Sequence, residues 1–234
     1  MKKVEEKKMK IAGNLTIDEW NELKEKLKPE NDELWGLGAH FFEERIKTRY
    51  LTPIHAIQNL NLNEGEGFAM VNLQCSLIET FECFINGWMF DKNKWWKETG
   101  CKEKILVVKD QEGENIKNGY IFEQFFKDFS DSFDNINGGD FYSKVRCGLL
   151  HETQTKGNWI IRVAKENNDK CYEYDDGNNI IYRNNFQEKL EELLEEYSKA
   201  IADGKKFEEI GISIEDLRKN FRTKMNHICK QSEL

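Results

Sequence analysis

The chain reads as mainly α, a helical bundle with a small antiparallel β hairpin or three-strand insertion, on three observations. Apolar residues recur at helical spacing along most of its 234 residues. Only two prolines, Pro29 and Pro53, interrupt it. Alternation of apolar and polar residues takes over in one stretch, from Gly157 to Arg183.

The elements follow in order. Thr16-Ile17-Asp18-Glu19 has the form of a capping box and opens a helix to about Lys28. A second helix is expected from Asp32 to Tyr50, and Thr52-Pro53 starts another short one. Gly65-Glu66-Gly67 precedes a long helix, Phe68 to Phe90, whose Met70, Leu73, Leu77, Phe81, Phe84 and Trp88 form an apolar line. Cys101 to Asp110 reads as a strand or a buried edge. Phe122, Phe126, Phe129 and Phe133 mark an amphipathic helix. After Gly138-Gly139, Asp140 is placed to cap the next helix, in which Phe141, Val145 and Leu149 face the core. Trp159–Val163, Cys171–Tyr174 and Asn179–Arg183 read as antiparallel strands, with Asp175-Asp176-Gly177-Asn178 turning the last two. Helix returns from Asn185 to Asp203, closed by Gly204, and Ser213-Ile214-Glu215-Asp216 begins the last one. The expected organisation is one domain: a charged tail over 1–12, helices over 14–64, a bundle core over 65–204 with its β insertion at 157–183, and a basic helix over 205–234.

Composition narrows the partners. Apolar residues make up 38% and aromatics 12%, enough for a real core, and 33% charge implies a solvated surface. A net charge of −8 argues against broad duplex binding, which needs a concentrated basic surface. Two places are basic: the amino-terminal lysines, and Leu217 to Lys230 with Arg218, Lys219, Arg222, Lys224 and Lys230. The second is the better candidate for phosphate contact if its charges form one stripe; a solvated face is the plainer alternative. No apolar run approaches the ~18 residues a bilayer requires. The start lacks the apolar segment of a secretory signal. Six scattered cysteines read as reduced thiols of a cytosolic protein. Neither a phosphate loop, a nucleophile elbow nor zinc-ligand spacing is present: the partner for His151-Glu152 would stand at position 155, which is Thr155. No metal and no cofactor are expected.

The chemistry that remains lies in Phe141-Tyr142-Ser143-Lys144-Val145-Arg146-Cys147-Gly148-Leu149-Leu150-His151-Glu152. An always-charged arginine and a histidine that titrates near neutrality suit a phosphodiester. Their side chains stand ~140° apart on a helix, so they share a cleft only near its end. RNA carries its own nucleophile, the 2′-hydroxyl. The protein then needs only to move protons, through His151, and to hold developing charge, through Arg146. The alternative reading of the pair is a helix C-cap that complements the dipole.

This segment resembles the Arg-x4–6-His motif of the HEPN superfamily, helical proteins that include many metal-independent RNA endonucleases. The likeness is close over these residues and looser from Gly65 to Tyr197, through helix order. It implies a HEPN-like bundle cleaving RNA, probably single-stranded in a defence or toxin–antitoxin setting, with an inhibitory partner protein in some members. It also implies a homodimer whose motif helices face each other, with Gly148 permitting close approach across the interface; local packing is the alternative for that glycine. Where the family often has asparagine after the arginine, this chain has Cys147, a poorer orienting group.

A second element is expected to complete the site. Asn72, Ser76, Glu79, Cys83 and Asn86 form a polar stripe on the long helix, facing water or lining a cleft. Glu79, at its centre, would pair with Arg146 or orient His151, as an acidic residue from an earlier helix does in such proteins. Lys156 adds a phosphate contact or is an ordinary surface lysine. Trp95-Trp96 stack on bases or are buried at a helix end. Two other functional classes stay open: a catalytically silent module of the same fold that holds RNA or protein, and an interaction protein unrelated to nucleic acid.

Overall fold

A computed structural model gives the fold and describes residues 9–28, 31–62, 64–99, 103–108, 113–165, 168–205, 207 and 211–232. The amino-terminal lysine cluster, Pro29 and Cys101 lie outside the described residues. Helix dominates. At the centre runs α4 (Glu66–Asn86), with Met70, Val71, Leu77, Ile78, Phe81, Phe84 and Ile85 all excluded from solvent. Against it pack α3 (Thr52–Gln58), α5 (Asn118–Asp128), α8 (Arg183–Asp203) and α9 (Ile214–Ser232), while α2 (Asp32–Ile46) lies along α8. Aromatic rings fill the junction: Phe42 lies 4.9 Å from Tyr197 and 5.0 Å from Phe84, and Phe81 lies 5.2 Å from Tyr197. Such pairs add ~0.5–1.5 kcal/mol each beyond the area they bury, which ties α2, α4 and α8 into one core.

By length and composition α4 also passes for a membrane-spanning helix, with a mean hydropathy of 1.2, contrary to the expectation that no segment would. Its apolar surface has an occupant within the fold, where 61% of that window is buried.

Local signals place the ends of elements. The capping box exists as read: Thr16 N donates to Glu19 Oε2 at 2.7 Å, and Glu19 N to Thr16 Oγ1 at 3.4 Å. The helix it opens, α1 (Ile17–Lys24), stops one turn early. Residues expected in a charged tail form β1 (Lys10–Ala12), paired with β2 (Leu15–Thr16), because Ile11 and Ala12 bury against the core. The expected break after Tyr50 is instead a π turn, Lys47–Leu51, leading straight into α3 with Pro53 in its first turn, where a missing N–H costs nothing.

Two small sheets complete the fold. β3 (Met89–Asp91), β4 (Lys94–Glu98) and β5 (Lys104–Leu106) form an antiparallel meander. Trp95 and Trp96 therefore sit in a strand, not at a helix end; Lys92 and Asn93, both at positive φ, make the tight turn before them. The insertion after the motif helix holds β6 (Trp159–Arg162), β7 (Tyr172–Asp175) and β8 (Asn178–Tyr182). β7 and β8 are the expected antiparallel hairpin, turned at Asp176-Gly177. β6, however, pairs with β8 in parallel, so the sheet is mixed, in the order β6-β8-β7.

Candidate functional site

The motif helix is three pieces in one run: α6 (Gly138–Phe141), a π turn (Tyr142–Arg146) and α7 (Cys147–Glu152). Its cap is Asn137, whose side chain accepts from Asp140 N at 2.9 Å. Asp140, expected in that role, instead accepts from Trp159 Nε1 at 2.7 Å and fastens the helix to β6. Phe141, Val145 and Leu149 are buried, as their spacing requires. Thr153 ends the helix at φ 58°.

Glu79 and Arg146 meet. Arg146 Nε donates to Glu79 Oε1 at 2.9 Å, with side chains 17% and 19% exposed. Burial pulls the guanidinium down, but the hydrogen bond and charge of Glu79 more than offset it and hold the pKa above its ordinary value. The polar stripe carrying Glu79 is no plain solvent face. Its Cys83 is packed among Trp88, Trp95, Ile116 and Ile121, and its centre is covered by the motif helix.

The π turn adds a group that periodicity did not single out. Cys147 N–H donates to Tyr142 O, five residues back, and the Tyr142 hydroxyl hydrogen-bonds the Cys147 side chain. In a regular α-helix these two residues would point ~140° apart. Burial first, and the thiol second, push the phenol pKa up, so Tyr142 stays a neutral donor. Cys147 is half-buried, whereas Cys75, Cys83, Cys171 and Cys229 are buried; all five are free. Desolvation pushes the Cys75 thiol up, with Glu79 adding to the effect.

His151 stands apart. It lies exposed in the last turn of α7, and among the described residues no hydrogen bond or ion pair joins it to Arg146 or Glu79. The residues between are α-helical, so the ~140° divergence holds: Arg146 leans onto α4 and His151 faces solvent. Lys156 comes back to the motif helix. Its N–H donates to Lys144 O at 2.9 Å, and its ammonium lies 3.8 Å from Glu152.

That return corrects the reading of Gly148. A Cβ there would stand 2.5 Å from Gln154 O and 3.3 Å from Lys156 N, so the close approach it permits is to the loop of its own chain. The basic stripe is corrected too. Arg218 is 5% exposed; its Nε donates to Ile201 O at 2.9 Å and Nη2 to Ala202 O at 3.0 Å, its Nη2 also pairs with Asp32 at 2.8 Å, and its guanidinium covers Trp35. It caps the carboxy-terminal end of α8 and is closed to RNA. Arg222 reaches Leu27 O at 3.5 Å, and Lys224 donates to Trp88 O at 2.9 Å. These cations point to different neighbours because a helix seated in a groove turns each side chain to a different wall. No three His, Cys, Asp or Glu side chains among the described residues come together as a metal site needs.

Comparison with known proteins finds no matching family model, no matching curated protein and no matching solved structure.

Proposed function

We propose that the chain is a metal-independent endoribonuclease of the HEPN type, working as a homodimer on single-stranded RNA. The observation that carries this reading is the Glu79–Arg146 pair: an acidic residue from an earlier helix holds the motif arginine by Nε, with no described hydrogen bond on its two terminal nitrogens. Those nitrogens suit two non-bridging phosphate oxygens. His151 takes the 2′-hydroxyl proton, the 2′-oxygen forms its bond to phosphorus, and the bond to the 5′-oxygen breaks as His151 of a second copy returns a proton. A 2′,3′-cyclic phosphate and a 5′-hydroxyl result. Two copies divide the acid and base roles, and the exposed His151 suits a site completed by a second chain.

Purified protein should cut single-stranded RNA in chelator and leave RNA with 2′-O-methyl groups intact. His151→Ala and Arg146→Ala should each lower the rate by ~10²–10⁴ while staying folded, and Arg146→Lys should not restore it. Dependence on magnesium, or a wild-type rate in His151→Ala, overturns the mechanism. The divergence of Arg146 and His151 around the helix favours a second reading, a silent module that holds RNA or a protein without cutting it. Binding of RNA without cleavage by the wild type would establish that reading instead.

A further inference from the structure

We propose that Tyr142 is a second phosphate-binding group of this site, its hydroxyl donating to a non-bridging oxygen of an RNA phosphodiester beside Arg146. The inference rests on the site assignment above. It begins with the π turn, a costly irregularity that recurs where function requires it. The turn sets Tyr142 beside Cys147, which brings the phenol to the Arg146–Glu79 pair, and both of these charges act on it.

The ring is fixed before any ligand arrives. It lies 5.4 Å from Phe122, and a Cβ on Gly119 would stand 3.0 Å from it, so the absent side chain of Gly119 makes its seat. The hydroxyl is thus held in place while its present acceptor, a thiol, is weak. A phosphate oxygen is a far stronger acceptor, so exchange from thiol to phosphate is favourable. A neutral donor beside a cation divides the work: Arg146 matches the charge and Tyr142 fixes the direction of one oxygen. The half-buried Cys147 then acts as a placeholder acceptor, which explains why a thiol serves at this position.

Tyr142→Phe removes the oxygen and keeps the ring. The probe is a mixed-sequence 2′-O-methyl oligoribonucleotide, which has the phosphates but cannot be cleaved, titrated across a range of salt. We expect Tyr142→Phe to weaken binding about tenfold with an unchanged salt dependence, because the phenol is neutral. Arg146→Ala should weaken binding and also reduce the slope of log K against log salt by ~0.7. An unchanged affinity in Tyr142→Phe overturns the proposal. So does a loss accompanied by the reduced slope, which would mean that Tyr142 only positions Arg146. Wild type that binds no oligonucleotide also overturns it. If the wild type binds this probe, fails to cut ordinary RNA and loses affinity in Tyr142→Phe, the phosphate site stands and only the nuclease assignment fails.

Discussion

Glu79 and Arg146, 67 positions apart, form a half-buried ion pair that joins the central helix to the motif helix. Most of its strength comes from limited access to water: at an exposed surface such a pair contributes ~0–1 kcal/mol. Removing one partner leaves the other charge poorly solvated, so Arg146→Ala should cost ~1–3 kcal/mol. Glu79→Ala in the same background should recover part of that loss. Urea unfolding of the two single variants and the double variant measures the coupling, and additive losses would show that the pair contributes nothing to folding.

Gly148→Ala should destabilise the protein by ~1–3 kcal/mol, although alanine favours helix by ~1 kcal/mol. Its Cβ would meet a backbone oxygen at 2.5 Å, which a side-chain rotation cannot relieve. The variant should keep the assembly state of the wild type by light scattering, because the glycine faces its own loop. A thermal midpoint equal to or above wild type would show that the loop yields freely.

Arg218→Ala should lower stability by ~2–4 kcal/mol, since it strips two carbonyl acceptors at the end of α8 and leaves them buried. Arg218→Lys should not restore it, because one ammonium cannot span those acceptors and cover Trp35. Thermal unfolding of both variants decides this.

Glu82 makes stability pH-dependent. It is fully buried, Asn86 Nδ2 donates to its Oε1 at 2.7 Å, and Oε2 has no partner. Desolvation, then the charge of Asp128, raises its pKa well above the ordinary carboxylate value. The folded state therefore keeps a proton that the unfolded state loses above about pH 4.5. The stability from this group is fully present below that pH and is lost as pH rises toward the folded pKa, at up to ~1.4 kcal/mol per unit. Glu82→Gln should match wild type near pH 4.5 and exceed it increasingly toward pH 8, measured by urea unfolding. A constant difference across that range would mean that Glu82 is ionised in the fold.

Local determinants of the fold were legible in the residues. The capping box at Thr16 and Glu19, the glycine stop at Gly204 and the hairpin turn at Asp176-Gly177 depend on neighbours a few positions away. The helical periods of Phe141, Val145 and Leu149 read correctly as a buried face. Glu79 was visible because a carboxylate in an apolar helix needs a partner. What stayed hidden is non-local. The parallel pairing of β6 with β8 is set by the route of the chain, not by the strands. Arg218 looked like its basic neighbours until a groove closed over it. The π turns leave no mark on composition, so Tyr142 went unnoticed as a neighbour of Cys147.

The π turn at Tyr142–Arg146 also makes the motif helix a single rod with two phases. Deleting one residue inside it would restore a regular helix and rotate everything downstream by ~100° relative to Phe141. Val145 and Leu149 would then leave the core line they share with Phe141, and Arg146 would swing away from Glu79. A single three-nucleotide deletion in the gene would therefore dismantle the site while leaving almost every side chain in the sequence. The same loss could not be had from most single substitutions, which change what a position carries but not which way it points.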